Sequence, residues 1–136
     1  MMTRRTLIAA FALALPTVAA IVHLTRSGDD TELFGARLGM SARQVREFFQ
    51  PQGRWSTTTE HDLLVLGWTG DDPRVNTARF ELHEGLLVAV RAELADASDA
   101  KVVAPDVVRV VRDGTLTMIA RGCPLHADEV ARLLRD

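Results

Sequence analysis

The stretch Ala78-Arg79-Phe80-Glu81-Leu82-His83-Glu84-Gly85-Leu86-Leu87-Val88-Ala89-Val90 decides how this chain folds. Ala78, Phe80 and Leu82 alternate with Arg79 and Glu81, and Leu86, Val88, Val90, Ala92 and Leu94 alternate beyond the turn residues. A period of two belongs to strands with one face buried, so the stretch reads as a β-hairpin. A three-residue loop, His83-Glu84-Gly85 with Gly85 left-handed, pairs Leu82 with Leu86, Phe80 with Val88 and Ala78 with Val90, putting all six on one face. A two-residue loop would pair Leu82 with Leu87 and leave Val88 on the wrong face, so the three-residue loop is expected.

Outward from the hairpin the same period recurs. Arg54 to Thr59 and Leu63 to Trp68 read as strands turning near Glu60-His61-Asp62, and Gly70-Asp71-Asp72-Pro73 is a turn. Asp96 to Ala104 reads as a connection. Val107 to Arg112 and Thr115 to Arg121 form a second hairpin about Asp113-Gly114, with a short helix after Pro105 as the alternative for its first half.

Helices bracket these strands. In Met40-Ser41-Ala42-Arg43-Gln44-Val45-Arg46-Glu47-Phe48-Phe49, Ser41 and Gln44 have the spacing of a capping box and Met40 and Val45 that of a hydrophobic staple. Val45, Phe48 and Phe49 share a helix face, and Pro51 and Gly53 end the helix. A second helix, from about Pro124 to Arg135, carries Val130, Leu133 and Leu134 as its stripe. The expected fold is α+β: an N-terminal apolar segment, a helix, an antiparallel meander of about four to six strands covered on one face, and a C-terminal helix.

The front of the chain is organised differently. Arg4 and Arg5 precede an apolar run from Leu7 to Val22, interrupted by Pro16 and followed by small residues, which is the layout of an export signal. Cleavage after Ala20 is the preferred reading. An uncleaved anchor reaching about Leu24 is the alternative, although its 18 residues are short of the roughly 20 a bilayer core needs. Thr3-Arg4-Arg5-Thr6-Leu7-Ile8 also matches a twin-arginine export motif. Both readings put the rest of the chain outside the cytoplasm, periplasmic or secreted, with residues 21–33 as tether and 34–136 as a single domain. Any contact with membrane is through the N-terminal segment.

Composition then narrows the chemistry. The whole chain carries a net charge of −2, and removal of Arg4 and Arg5 makes the remainder more acidic, which gives nucleic acid no electrostatic footprint. One cysteine, Cys123, excludes an internal disulfide. Cys123 and His126 have metal-ligand spacing, and His61 and His83 could complete a zinc set. In a meander of the strands read above, successive turns alternate between sheet ends, which puts Cys123 on the order of 17 to 20 Å from His61 and His83 and argues against a metal. No cofactor motif is found. Cys123-Pro124-Leu125-His126 lacks the second cysteine of a dithiol site, which leaves a buried cap residue or, in the minority, a single reactive thiol with His126 as base. Trp55 and Trp68 either fill the core or present a recognition face.

Gly39-Met40-Ser41 through Phe49 resembles the helix opening of the small outer-membrane assembly lipoprotein family, BamE or SmpA. A related layout occurs in secreted β-lactamase inhibitor proteins. The resemblance implies a non-enzymatic envelope domain that binds other proteins. No lipid-attachment cysteine follows the apolar run, and residues 105–136 have no counterpart in the family pattern. The expected function is therefore binding of a protein partner in the envelope or outside the cell, with a redox or nucleophilic site at Cys123 and His126 as the alternative.

Overall fold

The computed structural model describes residues 30–136. The export signal, the Ala20 cleavage point and nearly all of the tether lie outside the described residues. Among the described residues, no helix is long and apolar enough to cross a membrane.

The chain opens with a two-stranded hairpin, β1 (Glu32–Leu33) and β2 (Ala36–Arg37), followed by α1 (Ala42–Phe48). Seven antiparallel strands then build one sheet: β3 (Gly53–Glu60), β4 (Leu63–Asp72), β5 (Val75–His83), β6 (Leu86–Leu94), β7 (Ala100–Val103), β8 (Val107–Arg112) and β9 (Thr115–Ala120). Their spatial order is β3-β4-β5-β6-β9-β8-β7. A 3₁₀ turn (Pro124–His126) leads into α2 (Ala127–Arg135).

The capping box forms as its residues dictate. Ser41 Oγ accepts from Gln44 N at 3.2 Å, and Gln44 Oε1 accepts from Ser41 N at 2.9 Å. The helix is held at both ends: Leu87 N donates to Met40 O, Gly39 N donates to Leu87 O, and Gln50 N donates to Phe34 O. Gly39 has φ +94°, a left-handed backbone that a side chain resists. Phe49 is the centre of an aromatic cluster, with ring centroids 5.1 Å from Phe80, 5.2 Å from Trp68 and 5.8 Å from Trp55. Phe48, expected beside it in the core, is instead 51% exposed, because the chain leaves the helix at Phe49 and turns that next ring alone inward.

One face of the sheet carries Leu66, Trp68, Phe80, Leu82, Val90, Leu116 and Met118 beneath Leu33, Ala36, Val45 and Phe49. On the opposite face Val130 and Leu133 of α2 pack on Ala89, Val108, Val110 and Ile119. Helices and hairpin thus cover parts of both faces, not one. Leu134, assigned to the helix stripe, is exposed.

Three further expectations are corrected. The β5–β6 loop has two residues, Glu84 (φ 53°) and Gly85 (φ 82°), and pairs Leu82 with Leu87. A β-bulge at Val88 then restores the register, so that Glu81 faces Ala89 and Phe80 faces Val90. Leu87 takes the core place expected of Leu86, which is 53% exposed. Second, Asp96 to Ala104 is not all connection but includes β7, and residues 107–112 are strand rather than helix. Third, β7 adds one pass across the sheet, so β9 ends where the β5–β6 turn lies: Ala89 pairs with Ile119 and Glu93 with Thr115. Cys123 is therefore at the same end of the sheet as His61 and His83, and the argument from alternating turns fails. β4 also runs on to Asp72, past the expected turn at Gly70, with a register shift between Thr69 and Asp72.

Candidate functional site

On the face under α2 the alternation of β5 and β6 delivers charges rather than apolar groups. Glu81 lies between Phe80 and Leu82 in sequence and points the other way, yet it is only 3% exposed. A carboxylate taken out of water is costly unless donors surround it. Glu81 has three: Arg79 Nε at 2.8 Å, Arg91 Nε at 2.9 Å and His126 Nε2 at 2.7 Å. The two arginines are tied further out, Arg79 to Glu60 and Arg91 in a two-pronged pair to Glu129, both contacts at 2.7 Å. The 3₁₀ turn brings His126 in, and the first turn of α2 brings Glu129.

His126 is 5% exposed and bridges two partners. With Nε2 donating to Glu81, the neutral ring presents its Nδ1 lone pair to Cys123 Sγ at 3.3 Å. The hydrogen bond to Glu81 raises the imidazole above its ordinary range against the opposing effect of burial, and Cys123 adds to the rise. Burial alone would push the Glu81 carboxyl up, but His126, Arg91 and Arg79 together hold it well below the usual carboxylate range. Glu129 bonded to Arg91 is held low, and Arg91 is held high by Glu129 first and then by Glu81.

Sulfur, imidazole and carboxylate stand in the order of nucleophile, base and orienting group. Cys123 itself is 6% exposed and caps the 3₁₀ turn, with Pro124 in the first helical position as the sequence suggests. The structure thus brings Cys123 and His126 together. His61 stands on the β3–β4 turn and His83 at the end of β5, and among the described residues no group of three or more His, Cys, Asp and Glu side chains is arranged to hold a metal. Trp55 and Trp68 face each other across β3 and β4 on the apolar face. Trp68 is buried and Trp55 half-buried.

Glu81, Arg79, Arg91 and Glu129 were not singled out by sequence. Their pattern, acid and base alternating with core residues, is that of an ordinary solvent-facing side, and no local signal announces a helix above it.

Beyond α2 the same face is open. Ser56, Gly67, Thr69, Thr77, Arg79 and Arg91 line a shallow cleft of about 390 Å³ that runs to the edge of the sheet. That edge is β3, exposed along nearly its whole length and paired to β4 without a register shift from Gly53 to Glu60. Beside its start, Phe48, Phe49, Pro51 and Trp55 line a second groove of about 470 Å³.

No family model, curated protein or solved structure matches the chain.

Proposed function

We propose that this chain is an exported, non-enzymatic domain that binds a protein partner in the cell envelope or outside the cell, taking an extended partner segment as an added strand on β3. One observation carries the reading. Edge strands are ordinarily blunted by proline, lysine, a bulge or short length, and the eight residues of β3 have none of these devices. The backbone groups of β3 that turn away from β4 are a template for strand addition, and the groove at Phe48, Pro51 and Trp55 offers an apolar anchor beside it. The likeness of the Gly39–Phe49 helix opening to an envelope-assembly family agrees with this use.

Thr59→Pro tests it, because the ring removes a donor from the outer side of the edge and spares the β4 side. Envelope protein captured by the wild-type chain should be lost with this variant, and hydrogen exchange at Trp55, Thr57 and Thr59 should slow on binding. Capture that survives Thr59→Pro sinks the reading. Export is tested by intact mass: a mature chain starting at Ile21 is expected, and one retaining Met1 is the anchored form.

A second reading rests on the Cys123–His126–Glu81 relay, in which His126 takes the thiol proton and Cys123 acts as a nucleophile or redox group. Its measure is maleimide labelling of the folded chain. Modification confined to the denatured chain removes it.

A further inference from the structure

We infer that the strand added to β3 is β3 of a second copy of this chain, paired antiparallel about a two-fold axis through Thr57. The inference rests on the reading of β3 as a docking edge and names the occupant.

Hydrogen-bond phase and charge select the same register. The β3–β4 turn has two residues, His61 and Asp62, which makes Glu60 and Leu63 the closing hydrogen-bonded pair. Counting back in steps of two, Thr58 and Ser56 also bond inward to β4. Trp55, Thr57 and Thr59 therefore present their N–H and C=O groups outward. Two copies can form a ladder only where outward residues meet outward residues. A two-fold axis through Thr57 does this, setting Thr57 against its mate and Trp55 against Thr59 on either side.

That same axis sets Arg54 against Glu60, twice by symmetry. Arg54 is exposed and has no ion-pair partner among the described residues. Glu60 is bound to Arg79 at 2.6 Å but keeps 48% of its side-chain surface open to a second cation. Moving the axis by one residue in either direction separates Arg54 from Glu60 and puts each opposite an uncharged neighbour. Ser56 against Thr58 completes the polar face, and Trp55 against Thr59 the apolar one. No like charges meet.

Sedimentation equilibrium of the exported chain over micromolar to millimolar concentrations should show a monomer–dimer equilibrium. Arg54→Glu should weaken it about tenfold, since two cross-strand attractions become repulsions, and Glu60→Arg should do the same. The double exchange R54E/E60R should restore the dimer. Independently of any folding cost at Glu60, Thr57→Cys should give a disulfide-linked dimer on mild oxidation, because mates in a hydrogen-bonded pair have Cα atoms about 5.5 Å apart. Thr59→Cys should not, its mate lying about 13 Å along the strand. A chain that stays monomeric overturns the second-copy assignment, and if a different protein then slows exchange at Trp55, Thr57 and Thr59 the docking edge still stands. A dimer indifferent to Thr59→Pro overturns the edge and the assignment together.

Discussion

The two faces of the sheet are built from the same strands and held by opposite means. Phe80 and Val90 point one way into an aromatic core closed by Phe49, while Glu81 and Arg91 point the other way into an ionic cluster closed by His126 and Glu129. The apolar face gains from every buried group and tolerates loose geometry. Its counterpart stabilises only while each charge keeps its partner, since removing one leaves the others desolvated and unpaired. The difference is one of failure: gradual on one side, concerted on the other.

Four perturbations probe this contrast. Phe80→Ala should have the largest effect, a loss of about 3 to 5 kcal/mol in urea unfolding, because the ring is fully buried amid Phe49 and Trp55. Glu81→Ala should cost about 3 kcal/mol by leaving His126 and two arginines without their shared acceptor. Combined with His126→Ala, its loss should be markedly less than the sum, whereas Phe80→Ala and Glu81→Ala should add more nearly. Gly70→Ala comes next, at about 1 to 3 kcal/mol. Gly70 pairs with Gly53 across β3 and β4, the Trp68 indole lies over both, and an added Cβ at Gly70 would meet the ring 2.7 Å away.

The smallest effect is that of pH. His126 has its pKa raised by folding, so its contribution is fully present below the ordinary value of about 6.5 and lost as pH rises through the raised one. Glu81 is depressed, so its contribution is present above the ordinary carboxylate range and lost as pH falls through the lowered value. Urea midpoints measured across pH should fall on both flanks, and His126→Gln should flatten the alkaline one. A wild-type midpoint unchanged from pH 6 to 9 would mean that His126 is not charged in the folded chain.

What the sequence reveals of this fold follows from the reach of each signal. The capping box at Ser41 and Gln44 and the turn at Asp113-Gly114 are local and appear as read. So do most strand positions. Val88 is misread because alternation assumes an unbroken ladder, and a bulge whose partner is the loop at Gly39 and Met40 leaves no mark in the residues that form it. β7 escapes because Ala100 to Val103 is too short for a period, and that omission turned the far end of the sheet into the wrong one for Cys123. Of the site, the Cys123–His126 spacing was legible and Glu81 was not. Its burial is decided by a helix more than forty positions later in the chain.

The topology also has a mechanical side. β3 to β6 form one meander and β7 to β9 another, each closed largely by tight local turns, and the two meet along a single seam where β6 pairs with β9. Val130 lies across that seam, and His126 and Glu129, which follow the second meander, grip Glu81 and Arg91 in the first. The ionic cluster is thus a rivet between two half-sheets. Under load, or during folding, the halves should act as separate bodies until it closes, readable as coupled exchange protection at Ala92 and Leu116 that is lost when Glu81 is removed.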